Sequence, residues 1–119
     1  MDKVLVCLDF SASINMVIFG EYKKAITLLK GIYGDLDIIS WGEDFIKFIS
    51  IDNIEKAYEQ RVGKFTIIEP VLQFIQYGNY NKIIILTDGP LSGPIYSPHI
   101  DNIVVLNVYN NKYWVEESK

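Results

Sequence analysis

Two uninterrupted apolar runs stand out in the pattern of hydrophobic and polar positions along the chain. Val4–Leu8 consists only of apolar residues, and Ile83–Leu86 lies within a second such segment, Lys82–Thr87. Strands of this kind are typically buried on both faces, as in the middle of a parallel sheet. Further strands are predicted at Asp37–Trp41, Phe45–Ile51, Ile103–Tyr109 and Lys112–Glu116. The first two of these strands are joined by a short link, and so are the last two. Each pair is therefore predicted to form an antiparallel hairpin.

Between the strands, the apolar spacing changes to that of helices. Apolar residues recur every three or four positions from about Phe19 to Ile32, and Gly31 and Gly34 are expected to end this helix. Two shorter helices are predicted at Ile54 to about Gln60 and at about Glu69 to Tyr77. Residues 90–101 contain three prolines and are expected to form an irregular loop.

Helices that alternate with doubly buried strands indicate an α/β fold. We expect a single compact domain over residues 1–119, because this length supports one hydrophobic core and is too short for two. The predicted architecture is a Rossmann-like three-layer sandwich, with a mostly parallel central sheet and helices on both faces. One antiparallel hairpin strand and an antiparallel edge strand complete the sheet, and the first and fourth strands lie at its centre.

Composition and charge narrow the classes of function. Half of the residues are hydrophobic and 22% are charged, which is the balance of a folded chain. The net charge is −4 and only three basic residues follow position 64, so nucleic acid is not an expected partner. No apolar run approaches the ~20 residues of a membrane span, and we expect a cytoplasmic protein. With one cysteine, Cys7, and one histidine, His99, the usual zinc sites are excluded.

Polar residues collect at the predicted carboxyl ends of the central strands. Asp9 follows the first strand, with Ser11 and Ser13 just beyond it, and Asp88 follows the fourth strand. The direction of the chain brings the loop that contains Thr66 to the same edge. Ligand sites of open α/β sheets lie at this edge, so we expect the five side chains to lie together. Because Asp9 ends its strand, we expect it outside the core and expect Asp9→Ala to leave the fold largely intact.

Two carboxylates and three hydroxyls suit a hard divalent cation. Mg²⁺ prefers six oxygen ligands at ~2.0–2.1 Å and readily retains waters, and the set contains no soft ligand. Mn²⁺ and Ca²⁺ are the other candidates. Hydroxyl ligands carry no charge, so an ion held mainly by them stays strongly positive and attracts an external carboxylate. The pattern therefore predicts a site that binds an acidic group of a partner.

This constellation resembles the metal-ion-dependent adhesion site (MIDAS) of von Willebrand factor type A (VWA) domains. The segment Asp9-Phe10-Ser11-Ala12-Ser13 is similar to the family's Asp-x-Ser-x-Ser motif, and Thr87-Asp88-Gly89 is similar to its Thr-Asp-Gly motif. Thr66 resembles the single threonine of the second loop. The chain most resembles, over roughly residues 3–116, the compact VWA-like domain at the C-terminus of predicted bacterial metallopeptidase-like proteins. It departs from the pattern in having Lys64-Phe65 before the threonine and Ile67 after it.

The resemblance implies a VWA-like fold and a non-enzymatic protein-interaction module. It implies a metal set of Asp9, Ser11, Ser13, Thr66 and Asp88, with Mg²⁺ bridging to an Asp or Glu of a protein partner. It also implies that the chain acts together with an AAA+ ATPase partner. No nucleophile paired with a base is apparent in the sequence, so no catalytic residue is assigned.

Two alternatives stay open. An Asp after the first strand is also the phosphorylated group of metal-dependent phosphohydrolases of the haloacid-dehalogenase type, although Ser11 stands where those enzymes carry a second Asp. The other alternative is a VWA-like scaffold with a vestigial metal site. In that case Ser11 or Ser13 caps the first helix and Asp9 accepts backbone N–H groups.

Overall fold

The computed structural model describes residues 3–11, 13–42, 46–59, 69–75, 80–88, 103–109 and 112–116. Its strands are β1 (Val4–Asp9), β2 (Leu36–Trp41), β3 (Ile46–Ile49), β4 (Lys82–Thr87), β5 (Ile103–Tyr109) and β6 (Lys112–Glu116). Its helices are α1 (Met16–Tyr33), α2 (Ile54–Glu59), which follows a 3₁₀ turn at Ile51–Asn53, and α3 (Glu69–Ile75). None of the helices in these ranges has both the length and the apolar character that crossing a membrane requires.

The six strands form one sheet in the order β3-β2-β1-β4-β5-β6. Strand β1 is parallel to both β2 and β4, and β5 is parallel to β4. Strands β3 and β6 are antiparallel to β2 and β5. The prediction of an α/β fold with a mostly parallel sheet, a hairpin strand and an antiparallel edge strand is therefore confirmed. The strand order reverses between β1 and β4, which is the position where doubly wound sheets bind ligands.

Alternate side chains of β1 pack into two different hydrophobic clusters, as expected for a strand buried on both faces. Val4, Val6 and Leu8 belong to a cluster that contains the buried side chains of α1: Ile18, Phe19, Tyr22, Ile26 and Leu29. Leu5 and Cys7 belong to a second cluster, to which α3 contributes Val71, Leu72 and Ile75. The first and third helices thus contact different sets of sheet side chains.

The first turn of α1 begins earlier than the apolar spacing predicts. Asn15 caps the helix, because its side-chain Oδ1 accepts the N–H of Ile18 at 2.9 Å. Neither Ser11 nor Ser13 is the cap, so that part of the vestigial-site alternative is wrong. The apolar spacing misses this turn because Met16 is exposed and does not continue the buried stripe.

The end of α1 lies at one of the two glycines expected to stop it. Gly34 is the C-cap, with a φ of 81°, and its N–H donates to the carbonyl oxygen of Lys30 at 2.9 Å. A positive φ of this kind strongly favours glycine. Gly31 lies within the helix, so its prediction as a stop is wrong.

The predicted bounds of β4, β5 and β6 agree with the structure. Strand β3 is shorter than predicted, ending at Ile49 rather than Ile51, where the 3₁₀ turn begins. The predicted end of the third helix at Tyr77 and the proline-containing loop at 90–101 lie outside the described residues.

Candidate metal centre at the carboxyl end of the sheet

Asp9 is the last residue of β1 and lies between the two neighbouring parallel strands. Its partner in the register of β2 is Trp41, and the preceding residue, Leu8, pairs with Leu86 of β4. Asp9 is only 1% exposed, so the expectation that it lies outside the core is wrong. A carboxylate at this depth requires hydrogen bonds to compensate for its lost hydration.

The Asp9 carboxylate accepts a hydrogen bond at each of its two oxygens. The backbone N–H of Ser11 donates to Oδ1 at 2.9 Å, and the hydroxyl of Thr87 donates to Oδ2 at 2.8 Å. Hydrogen bonds to an ionised acceptor are stronger than those between neutral groups. Each oxygen of the carboxylate is thus held by a different part of the chain, the serine turn at Oδ1 and β4 at Oδ2.

Ser11 and Ser13 bring two hydroxyl groups together just beyond the strand. Ser11 is 2% exposed and Ser13 is exposed, and their Oγ atoms are 3.0 Å apart. The backbone turns here, since the N–H of Ile14 donates to the carbonyl oxygen of Ser11 at 3.1 Å. Neighbouring oxygens around an octahedral Mg²⁺ ion with bonds of ~2.1 Å are separated by about 3.0 Å. The spacing of the two hydroxyls therefore fits two adjacent ligand positions of such an ion.

Asp88 follows β4 directly and is partly exposed. Its electrostatic effect reaches Tyr22, whose pKa is raised first by burial and then by the negative charges of Asp9 and Asp88. Both carboxylates therefore lie within electrostatic reach of one buried hydroxyl. This agrees with the prediction that the ends of β1 and β4 supply acidic groups to the same edge of the sheet.

The backbone of the site is anchored from α1 and from β2. The Tyr22 hydroxyl donates to the main-chain carbonyl oxygen of Asp9 at 3.0 Å, and the N–H of Phe10 donates to the carbonyl oxygen of Trp41 at 3.0 Å. The rings of Phe10 and Tyr22 meet edge to face, with centroids 5.8 Å apart. These contacts hold the chain in place as it leaves the strand and enters the serine turn.

Of the five predicted site residues, the structure brings together Asp9, Ser11 and Ser13, and it places Asp88 at the end of the neighbouring strand. Thr66 lies outside the described residues. The sequence-based prediction includes Thr87 in the Thr-Asp-Gly motif but not among the site residues, although it contacts Asp9 directly. The parallel register of β1 and β4 is the signal that identifies it, because this register sets Thr87 beside Asp9.

The chemistry of this edge differs from that of a carboxylate-rich or thiolate-rich metal cage. Within the described ranges, no three His, Cys, Asp or Glu side chains cluster as a metal site. Burial raises the pKa of the Cys7 thiol, and Cys7 packs in the second cluster. A cation at the edge would rely on hydroxyl oxygens together with the carboxylates of Asp9 and Asp88.

Comparisons of the chain with protein-family models and with curated proteins give no match. The position, burial and hydrogen bonding of the residues at the ends of β1 and β4 are therefore the basis for inferring a function.

Proposed function

We propose that the chain is a protein-interaction module that binds an acidic residue of a partner through a Mg²⁺ ion. The proposed ion-holding residues are Asp9, Ser11, Ser13, Thr66 and Asp88. The observation that carries the proposal is the oriented Asp9 carboxylate at the strand-order reversal, beside two hydroxyls that are 3.0 Å apart. We also propose a VWA-like three-layer arrangement, which is supported by the packing of α1 and α3 against alternate side chains of β1.

The proposed roles follow from the bonding of each group. Both Asp9 oxygens already accept hydrogen bonds from the chain, so we assign Asp9 to hold water of the ion rather than to contact the ion directly. The hydroxyls of Ser11 and Ser13 supply neutral oxygen ligands. A bound Mg²⁺ supplies concentrated positive charge, which favours an anionic oxygen from outside the chain. The partner group is therefore an Asp or Glu carboxylate.

The kind of partner is a further part of the proposal. An AAA+ ATPase is the candidate that the VWA resemblance suggests, and a cytoplasmic location goes with it. A nucleic-acid partner is disfavoured by the acidic net charge of −4. No membrane partner is proposed.

The hydrogen bonds of Asp9 also support one competing interpretation, in which the carboxylate only terminates β1 and the metal site is vestigial. Calorimetric titration with Mg²⁺ and Mn²⁺ separates the two. We expect one ion per chain, with Mg²⁺ or Mn²⁺ bound more tightly than Zn²⁺. Binding should be lost in Asp9→Asn, a variant that keeps an oxygen acceptor for the Ser11 N–H. Ser40→Ala is the matched control, because Ser40 is a buried serine of β2 and is not a proposed ligand.

Absence of any binding heat at millimolar Mg²⁺ or Mn²⁺ would leave the vestigial interpretation. If binding is found, a captured partner should be retained in Mg²⁺ and released in EDTA. Replacing the partner's acidic residue with Ala should have the same effect as EDTA. Equal retention in all three conditions would contradict a metal-bridged contact, and metal-dependent hydrolysis of a phosphate monoester would instead support the phosphohydrolase alternative.

A further inference from the structure

Thr87 and Asp9 occupy matching positions on neighbouring strands. Strands β1 and β4 run parallel with Leu8 opposite Leu86, so the next residue of each strand is Asp9 and Thr87. Two residues before them, Cys7 and Ile85 lie in the same hydrophobic cluster. Since side chains two positions apart share a face, Asp9 and Thr87 continue one face of the sheet.

The contact between these side chains is buried on both sides. Thr87 is 0% exposed and Asp9 is 1% exposed, and Thr87 Oγ1 donates to Asp9 Oδ2 at 2.8 Å. At this depth bulk water has little access to take the place of the hydroxyl if it is removed. Threonine is also branched at Cβ, which restricts χ1 and therefore the direction of its hydroxyl.

We propose that Thr87 is a positioning residue for the cation site, acting through the carboxylate of Asp9. Its hydroxyl holds Oδ2 while the N–H of Ser11 holds Oδ1, so the two bonds together fix the orientation of the carboxylate. Thr87 itself is not a ligand. This inference rests on the proposed function, because it assigns Thr87 a role only if Asp9 serves a cation.

A merely structural role for Thr87 makes a different prediction. If the hydroxyl only compensates for a buried carboxylate, its loss lowers the stability of the chain and leaves the affinity for metal unchanged. If it positions the carboxylate, its loss weakens metal binding even when the protein is fully folded. Partners that orient metal-binding groups typically affect metal affinity 10- to 100-fold when they are removed.

The experiment compares three variants by calorimetric titration with Mn²⁺ and by thermal unfolding in EDTA. Thr87→Val removes the hydroxyl and keeps the shape, whereas Thr87→Ser keeps a hydroxyl. Ser40→Ala is the matched control, because it also removes a buried hydroxyl of the sheet, but from β2 and at a position that pairs with Leu8 rather than with Asp9. We expect affinity to fall ~10- to 100-fold in Thr87→Val and to stay within about 3-fold of wild type in Thr87→Ser and Ser40→Ala. Thermal unfolding of Ser40→Ala should occur at the wild-type temperature or above.

Each other outcome overturns the inference in a recognisable way. Wild-type affinity in folded Thr87→Val, together with no binding in Asp9→Asn, would refute the positioning role and leave the proposed function standing. No binding by the wild-type chain would refute both. If Thr87→Val does not fold, Thr87→Ala removes the same hydroxyl without placing a methyl group against the carboxylate. Failure of both variants to fold would assign the hydroxyl to the structure of the sheet instead.

Discussion

Replacing Asp9 with Ala or with Asn tests whether its buried carboxylate stabilises the fold as well as serving the site. In Asp9→Ala, the Ser11 N–H and the Thr87 hydroxyl lose their acceptor, and both donors belong to buried residues. In Asp9→Asn, the amide oxygen can accept from Ser11 and the amide nitrogen can donate to Thr87. The two variants therefore remove the same negative charge but differ in the hydrogen bonds that they retain.

The magnitude follows from two opposing effects. A buried donor that loses its acceptor costs about 1–3 kcal/mol, and the Thr87 hydroxyl can rotate, so we assign about 2–4 kcal/mol to the pair. Removing the charge also relieves repulsion from Asp88, but Asp88 is partly exposed and solvent screening limits this gain to about 1 kcal/mol. Asp9→Ala should thus lose about 1–3 kcal/mol of unfolding free energy, whereas Asp9→Asn should equal or exceed the wild-type stability.

Thermal unfolding followed by circular dichroism in EDTA measures this difference without any contribution from metal. A domain of 119 residues has an unfolding entropy of about 0.25 kcal/mol/K, so the expected loss lowers the melting temperature of Asp9→Ala by about 4–12 °C. The Asn variant serves as the control for loss of charge. Equal melting temperatures for the two variants would show that the hydrogen bonds contribute nothing, and a more stable Ala variant would show that repulsion from Asp88 dominates.

Three further predictions concern residues that are not proposed ligands. Gly34→Ala should lower the free energy of unfolding by about 1 kcal/mol or more, because Gly34 has a positive φ. Gly31→Ala should raise it by about 0.5–1 kcal/mol, because Gly31 lies within α1 and the added Cβ has open space around it. Thermal melts of the two variants test both. Ser40→Ala should be neutral or stabilising by up to about 1 kcal/mol in urea unfolding, because the buried Ser40 hydroxyl has no hydrogen-bond partner among the residues that the structure describes. Burial raises the pKa of Tyr22 and of Tyr80, whereas tyrosines of the unfolded chain ionise near pH ~10. Above that pH the unfolded state therefore binds fewer protons than the folded state, and the stability of the fold decreases as the pH rises. An absorbance titration should show fewer than the eight tyrosines of the chain ionising near pH ~10 in the folded protein and the rest ionising as it unfolds; ionisation of all eight near pH ~10 in the folded protein would contradict this.

The sheet was predictable from the sequence because its central strands are marked by local composition. The run Ile83–Leu86, bounded by polar residues, predicts β4 with its observed limits. The start of α1 was not predictable from apolar spacing, since Met16 is 76% exposed and the capping function belongs to Asn15. Helix caps depend on backbone conformation at one residue, which a search for periodic apolar positions does not detect.

In the candidate site, too, contacts between residues close in sequence could be predicted, whereas contacts that depend on strand pairing could not. Asp9, Ser11 and Ser13 are close in sequence, so the turn after β1 is sufficient to bring them together. The contact between Thr87 and Asp9 depends on which strand pairs with β1 and in which register, and the local Thr87-Asp88-Gly89 motif does not contain that information. The burial of Asp9 was missed for the same reason, because strands on both sides enclose it.

The hydrogen bond between Thr87 and Asp9 joins residues that are 78 positions apart, and this separation has a consequence for folding during synthesis. While the ribosome is still adding β4, β1 can pair with β2 but its other edge has no strand to pair with. Long-range pairing of this kind slows folding and exposes an edge to aggregation or to chaperones. A cation bound at the proposed site would stabilise the chain by mass action only once β4 has paired with β1. Emergence of β4 from the ribosome, rather than emergence of the Asp9–Ser13 segment, would therefore set the moment at which the proposed site becomes competent to bind.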